Sequence, residues 1–382
     1  MSEWSYHQFL ISRELGGEGL IGLHVAEYLG RNKLSSHVWV PGCGLAEREA
    51  RRLGLAVSQY CIEAAQSRWR LHAAWGNWRV GRSLQRAGAG LVHVHGVLYY
   101  GMLRWGLKLS GLKRVVHVHI EEHPKGLRWA FCSPPELIIT CARFLIDHVR
   151  VALPPERQDG QRIVAVPNAV DTDRFHPRNK AQAKNAVGAP RIPLVLMLAN
   201  LAPHKGQEVA VRTVALLKQR GIDLACWLAG VERGDEGAFT ARLRSLIEEL
   251  AVTDRVRILG QRSDAPELLR AADYFLLPST HEGLPLSVLE AQASKVPVLA
   301  APTAGIPEVV RDGETGFLIA ADDAVGYADR LQTLLACPEL SLRVAEAAHA
   351  QIVAGYNWPA YCRRIQELYQ EVLNSDGVSP SR

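Results

Sequence analysis

The sequence predicts an α/β protein of two domains, each built on a parallel sheet. Three observations carry that prediction. Short β-type apolar runs alternate with longer amphipathic stretches along the whole chain, the pattern of βα units. The series halts in a proline-bearing stretch and then restarts with a fresh strand. The chain has 382 residues, which at roughly 100–200 residues per domain is enough for two. With 48% hydrophobic and 22% charged residues, the composition supplies packed cores and excludes disorder or collagen-like repeats.

In the front half the apolar runs place strands at residues 8–12, 37–40, 91–95, 115–119, 137–140 and 163–166. In the back half they fall at 194–198, 224–229, 256–259, 274–277 and 298–300. Residues 175–193, with Pro177, Pro190, Pro193 and Gly188, read as the linker. A last helical segment over 356–372 is opened by Trp358-Pro359. The expected domains are 1–178 and 190–355, with residues 356–376 forming a helix that returns to the first.

Seven cysteines, an odd number with no C-x-x-C pair, fit neither a zinc ribbon nor a disulfide framework and point to a reducing compartment. The first ten residues hold Glu3 and three aromatics rather than a basic start and an apolar run, so no secretory signal is read. The longest apolar runs fall far short of the about 18 residues that a membrane span needs. The expected location is cytoplasmic, with peripheral contact at the inner membrane face.

Several motifs are decoys. Gly17-Glu-Gly19-Leu-Ile-Gly22 spells G-x-G-x-x-G, but the strand at 37–40 runs into Pro41-Gly42 where a ribose-binding acid belongs. His119-Ile-Glu-Glu122-His123 spells H-x-x-E-H, a zinc string only on a helix, and Pro124 follows a β-like run. Asp171-Thr-Asp173 reads as a turn and capping pair rather than a metal-binding D-x-D. No G-x-x-x-x-G-K-[ST] occurs, so P-loop chemistry is unsupported.

The informative stretch is Pro278-Ser-Thr-His-Glu282-Gly-Leu-Pro-Leu-Ser-Val-Leu-Glu290-Ala. A strand ends at Leu277 and a helix begins near Leu286, so the loop lies at the carboxyl edge of a sheet, where ligands bind. Backbone N–H groups of Leu284 and Leu286 can hold a diphosphate or sugar oxygen. Glu290 can accept from a ribose diol, and Glu282 from a sugar.

The E-x7-E spacing of Glu282 and Glu290 resembles the signature of retaining GT-B glycosyltransferases of family 4, and the resemblance covers nearly the whole chain. Gly16-Gly17 is similar to that family's first-strand glycine loop, and Leu91-Val-His-Val-His95 to its D-v-i-H-x-H strand. Val166-Pro-Asn-Ala-Val-Asp171-Thr-Asp-Arg-Phe175 is similar to i-P-N-G-v-D-x-x-x-F, and Lys205-Gly206 to the K-G phosphate site. Leu259-Gly260 and residues 301–317 match further family strings.

The resemblance implies a GT-B fold, two Rossmann-like parallel-sheet domains facing a central cleft. It implies a hexosyltransferase that retains anomeric configuration without a metal and needs no cofactor beyond its donor, a UDP-sugar in preference to a GDP-sugar. Lys205 would neutralise the diphosphate, and Glu282 with Gly283 and the amides of Leu284 and Leu286 would bind the sugar. Glu290 would take the ribose, and Gly16 and Gly17 would let the first loop close over the diphosphate. Arg262 lies where the family contacts the base, and His119 where it keeps a histidine facing donor and acceptor. His93 and His95 are weaker candidates of the same kind, each open to reading as a core histidine.

Asn200 stands where the family usually has an arginine, five residues before the lysine. A catalytically inactive protein that binds sugar nucleotides or glycans on the same fold is therefore the alternative. Ala169 replaces the usual glycine of P-N-G, and Cys141 the usual serine.

The net charge of +5 hides an uneven spread. Residues 1–180 carry 24 basic and 15 acidic side chains, a balance of +9; residues 181–382 carry 20 and 24, a balance of −4. From Ala64 to Ile120 there is no acid and there are nine Lys/Arg. Arg68, Arg70, Arg79, Arg82 and Arg86 interleave with Trp69, Trp75 and Trp78, which by spacing do not line one clean helix face. Basic residues with tryptophan suit an anionic membrane surface or an anionic acceptor; an ordinary surface helix with its tryptophans packed on the sheet is the other reading. A glycan, a lipid-linked molecule or a small molecule is the expected acceptor, and no nucleic-acid module is recognised.

Overall fold

A computed structural model describes residues 5–14, 16–60, 70–232 and 237–374. The chain divides into two units: Met1–Asn168 with Trp358–Arg382, and Ala169–Asn357. Each is a Rossmann-like parallel sheet covered by helices.

The sheet of the first unit has seven described strands: β1 (Ser5–Phe9), β2 (Ser36–Val40), β3 (Ala56–Gln59), β4 (Ala89–Val94), β5 (Lys113–Val118), β6 (Leu137–Thr140) and β7 (Ile163–Ala165). Their order is β3-β2-β1-β4-β5-β6-β7, all parallel. β4 and β5 are almost wholly buried, as expected when helices cover both faces. Because crossovers are right-handed, connections running from β1 toward β3 and those running from β4 toward β7 put their helices on opposite faces. Helices Gly17–Arg31 and Trp358–Asn374 pack together on one face. Helices Arg70–Arg86, Val97–Leu109 and Pro124–Ala130 lie side by side on the other.

β1 begins at Ser5, upstream of the expected 8–12. Its polar residues are buried and internally paired: Ser5 Oγ with His7 Nε2 at 2.9 Å, and Gln8 Nε2 donating to the Tyr369 hydroxyl at 3.0 Å. Polarity there disguised a core strand. β3 lies half-exposed at the sheet edge and lacks the apolar run that marks the others. Trp358–Asn374 buries Tyr361, Ile365, Leu368, Tyr369 and Val372, the spacing of one helix face. Tyr369 stacks on Tyr6 with centroids 5.5 Å apart, and Trp358 on His24 at 4.3 Å.

The second unit contains β8 (Leu194–Leu198), β9 (Ala225–Ala229), β10 (Val256–Gly260), β11 (Tyr274–Leu277), β12 (Val298–Ala300) and the two-residue β13 (Phe317–Leu318). Their order is β10-β9-β8-β11-β12-β13. The stretch read as a linker from its prolines holds the helix Lys180–Val187. Asn179 caps it by accepting from the Gln182 N–H, and Gly188 ends it at φ +66°. Asp273 fixes it to the sheet, pairing with Lys180 and Lys184 while accepting from the Leu194 N–H. That stretch is therefore folded structure of the second unit.

Candidate functional site

In the second sheet the chain leaves β8 toward β9 and β10 on one side, and β11 pairs with β8 on the other. The loops after β8 and β11 thus diverge at the carboxyl edge, the switch point at which open α/β sheets bind ligands. The loop after β8 passes through a 3-10 turn, Pro203–Lys205, to Gly206 and the helix Gln207–Gln219. Gly206 has φ +77°, and a Cβ on it would lie 2.2 Å from the Pro278 carbonyl oxygen. Only glycine lets these two loops approach so closely. The Thr280 N–H, donating to the His204 carbonyl at 2.8 Å, ties them together.

Across that approach Lys205 Nζ donates to Glu282 Oε1 at 2.8 Å, with side-chain exposures of 18% and 7%. A charge-assisted bond this short and this sheltered is a strong one. Next to Glu282, the Gly283 carbonyl accepts from the Gly305 N–H at 2.9 Å, joining a third loop. Leu284 is buried. Leu286 opens the helix Leu286–Ala293, whose N-terminus at Pro285 has no side-chain cap among the described residues. The positive end of that helix lies two residues past Leu284 and is suited to an anion or a sugar oxygen.

Glu290, half-buried on that helix, has its carboxyl pushed up to about 7 by burial, while the positive charge of Arg174 draws it the other way. Arg174 was not singled out from the sequence, although it lies within the stretch ending at Phe175 that resembles the family. Asp171 Oδ1 accepts the N–H groups of Asp173 and Arg174, both at 3.0 Å, so this pair shapes a turn. His204 and His281 flank the Lys205–Glu282 pair with ring centroids 6.3 Å apart. Burial first, then the charge of Lys205, lowers the pKa of His204. Adjacency to Lys205 and Glu282 was the available sequence signal for both histidines. Arg262 is engaged by Asp264 through two bonds of 2.8 and 2.5 Å. Asn200 is exposed, and its backbone carbonyl accepts from Gln207 Nε2 at 2.8 Å.

Gly16, Gly17 and His119 belong to the first unit. Gly16 precedes the helix Gly17–Arg31, has no side-chain cap among the described residues, and faces open space where a Cβ would stand. His119 lies one residue past β5 and its carbonyl accepts from Cys141 Sγ. Burial pushes its pKa down to about 3, and its Nε2 has no hydrogen-bond partner among the described residues. The H-x-x-E-H string forms no helical pair, since His123 instead caps the helix Pro124–Ala130 by accepting from the Lys125 N–H.

His93 on β4, His95 one residue past it and His117 on β5 continue below His119 as a buried stack. Centroids are 4.2 Å apart for His93–His95, 5.5 Å for His93–His117 and 3.9 Å for His117–His119. His95 Nε2 lies 2.9 Å from Gln8 Oε1, and His93 Nδ1 lies 2.6 Å from the Tyr369 hydroxyl. Donor atoms of His93, His95 and His117 come within 4.8 Å of one another. A metal ion lies in the plane of each imidazole that binds it, and the near-parallel planes of His93 and His117, 9° apart, do not converge on one point. The geometry fits packing of neutral rings, so His93 and His95 are core histidines.

The back half, residues 179–351, matches the family model described as "Glycosyl transferases group 1", and residues 16–174 match "Glycosyltransferase Family 4". The D-inositol 3-phosphate glycosyltransferase of Corynebacterium glutamicum is 34% identical over 230 residues, covering 58% of this chain and 54% of its own. The protein of that name from Nocardia farcinica is 36% identical over 225 residues, covering 56% and 49%. The matched stretch thus spans about half the length of these relatives. Among solved structures, a glycosyltransferase from Rickettsia africae superposes with a TM-score of 0.85 at 19% identity, covering 97% of this chain and 99% of its own. The Anabaena protein HepE in complex with UDP-glucose gives 0.83 at 20%, covering 96% and 99%. At these identities the structures report a shared fold, that of GT-B glycosyltransferases.

Proposed function

Since the chain belongs to glycosyltransferase family 4, we propose that it moves a hexosyl group from a nucleotide diphosphate sugar to an acceptor hydroxyl, with retention at the anomeric carbon. The observation that carries this is the Lys205–Glu282 pair at the switch point of the second sheet. A diphosphate entering there displaces Glu282 as the partner of Lys205, and the freed carboxylate accepts from sugar hydroxyls. Gly283 and the amide at Leu286 add hydrogen bonds near the helix terminus. Glu290 accepts from the ribose, and Arg262 lies beside the base.

In the proposed step the anomeric carbon–oxygen bond to the diphosphate breaks while the bond to the acceptor oxygen forms on the same face. The acceptor's proton passes to the departing phosphate oxygen. Lys205 and the helix terminus stabilise the developing negative charge, so rate comes from positioning and electrostatics. No metal and no separate cofactor enter this scheme. His119 and the glycines Gly16 and Gly17 would serve the same reaction from the first unit.

A UDP-sugar is favoured over a GDP-sugar as donor, in keeping with the UDP-glucose bound to the Anabaena protein of this fold. The acceptor is a glycan, a lipid-linked molecule or a small molecule; the named relatives suit a phosphorylated polyol, and the +9 balance of residues 1–180 suits an anion. Among the described residues no helix is long and apolar enough to cross a membrane, and peripheral contact with an anionic membrane belongs to this reading.

A thermal-shift panel of nucleotide sugars tests it. One UDP-sugar should raise Tm through ligand linkage and then be consumed on addition of an acceptor. Asn200 supports the second reading, an inactive binder: a Tm shift without hydrolysis or transfer of any donor would favour it. No shift with any nucleotide sugar would remove both.

A further inference from the structure

On the sheet face opposite the histidine stack, three helices carry a continuous set of exposed aromatic and basic side chains. On Arg70–Arg86, Trp75, Trp78, Arg79, Arg82 and Arg86 are exposed and recur at i, i+3/4, i+7 and i+11, which is one helix face. For Trp75 and Trp78 the structure thus corrects the reading that the tryptophans line no clean face, and also the reading that they pack on the sheet. Arg68, Trp69 and the Arg70 side chain lie outside the described residues. The neighbouring helix Val97–Leu109 exposes Leu98, Trp105, Lys108 and Leu109, the last at 79%. Pro124–Ala130 exposes Lys125, Arg128 and Trp129. The four tryptophans are 43–52% exposed.

The three stripes are held in register by close packing. A Cβ on Gly106 would lie 2.1 Å from the Asn77 carbonyl oxygen, and one on Gly101 would strike the Trp129 ring at 2.2 Å. Each tryptophan also carries a cation: Arg79 is 4.6 Å from the Trp75 centroid, Arg82 5.8 Å from Trp78, Lys108 5.6 Å from Trp105 and Arg104 4.6 Å from Trp129. No acid occurs between Ala64 and Ile120. Isolated exposed apolar residues need no explanation, but a contiguous patch of this kind marks an interaction surface.

We propose that this three-helix face docks on an anionic lipid bilayer, with tryptophan and leucine entering the headgroup–acyl boundary and the cations meeting lipid phosphates. Charge complementarity selects this occupant. Six exposed cations (Arg79, Arg82, Arg86, Lys108, Lys125 and Arg128) lie among rings that prefer the membrane–water interface. A soluble polyanion would meet the cations but would leave Trp105, Leu98 and Leu109 without an apolar environment. The proposal deepens the acceptor-side reading above, and since vesicle binding needs no turnover, either can fail alone.

The test is co-sedimentation of the full chain with vesicles of phosphatidylcholine alone or mixed with phosphatidylglycerol, at about 0.1 M salt, where the Debye length is about 10 Å. Wild-type protein should pellet with the anionic vesicles only, with a blue shift of tryptophan emission and quenching by bromine-labelled acyl chains. The variant R79A/R82A/R86A should bind about a hundredfold more weakly, from about fivefold per cation near an anionic surface. W105A/L109A should bind more weakly too, while keeping wild-type circular dichroism. Failure to pellet with anionic vesicles overturns the proposal. So does binding that W105A/L109A leaves unchanged, or heparin binding that loses nothing in that variant while vesicles compete poorly. Loss of donor binding with vesicle binding intact would instead remove the catalytic reading and leave this one standing.

Discussion

Removing Lys205 leaves the Glu282 carboxylate, 7% exposed, without the ammonium that neutralises it at 2.8 Å. Breaking a fully buried pair from one side costs about 3–5 kcal/mol; with Lys205 itself 18% exposed, water offsets part of that. K205A should therefore cost about 1–3 kcal/mol, or about 2–10 °C in Tm for a unit of this size. E282A should cost a similar amount by stranding the lysine. Removing both leaves no unpaired charge, so K205A/E282A should recover about 1–3 kcal/mol relative to the sum of the single losses. Activity should behave differently. Each single variant should lose about 10²–10³ in kcat, the magnitude for deleting one preorganised charge-stabilising group, and the double variant should recover none of it. The assays are chemical denaturation of all four proteins without ligand, and initial rates with the donor found by thermal shift. Additive stability losses would refute the pairing, and near-normal rates in folded K205A and E282A would refute the site.

Other predictions use single contacts. G206A should lose donor binding and at least about 1 kcal/mol of stability, because the left-handed backbone and the Pro278 carbonyl at 2.2 Å oppose any Cβ; equilibrium unfolding in urea checks it. Glu290 is raised from 4.5 to about 7 in the folded chain, so the native state holds a proton that the unfolded state releases. Stability should fall as pH rises from about 4.5 to about 7, and E290Q should flatten that segment of the stability–pH curve while weakening donor binding. The histidines behave oppositely. Burial takes His93 and His119 down to about 3, so the unfolded chain gains protons first and stability should fall as pH drops below about 6.5, by about 1.4 kcal/mol per pH unit for each such group. H117L should raise stability by about 1–3 kcal/mol, because both His117 nitrogens are buried without partners among the described residues; a lower denaturation midpoint would refute this.

Much of the architecture was legible because buried parallel strands are nearly continuous apolar runs. β6, β8, β11 and β12 fall on the residues expected from the sequence. At β1 the cause of the miss is that local polarity reads as exposure. Ser5, His7 and Gln8 satisfy one another, Trp39 or Tyr369 inside the core, so β1 does not look like a strand. The helix Lys180–Val187 was hidden by the prolines around it, although Asn179 and Gly188 are ordinary helix start and stop signals. At the candidate site, the E-x7-E spacing led to Glu282 and Glu290. That Lys205 and Glu282 hold each other could not be read, because 77 residues separate them and only the adjacency of β8 and β11 brings them together. Arg174 was missed for the same reason, since its influence on Glu290 acts through space across separate loops.

The two faces of the first sheet carry different sets of side chains. Side chains alternate between faces along β4, β5 and the residue that follows each, so His93, His95, His117 and His119 all turn toward the helices Gly17–Arg31 and Trp358–Asn374. There Gln8 and Tyr369 hold two of the four rings. Gly22 sits so close that a Cβ would lie 3.0 Å from His95 Nε2, which leaves that face no room for a large ligand below the carboxyl edge. A ligand on that side would be confined to the edge itself, where Gly16 and His119 lie. The right-handed crossovers after β3, β4 and β5 send their helices to the opposite face, and there Arg79, Arg82, Arg86, Lys108, Lys125 and Arg128 stand exposed among four tryptophans. Within residues 1–180, whose balance is +9, Arg114 pairs with Glu136, Arg51 with Glu47, and Arg52 with Glu49. Six exposed cations stand on the three-helix face, which is why substitutions at Arg79, Arg82 and Arg86, rather than a change of net charge elsewhere, are the ones that discriminate a docking surface from general basicity.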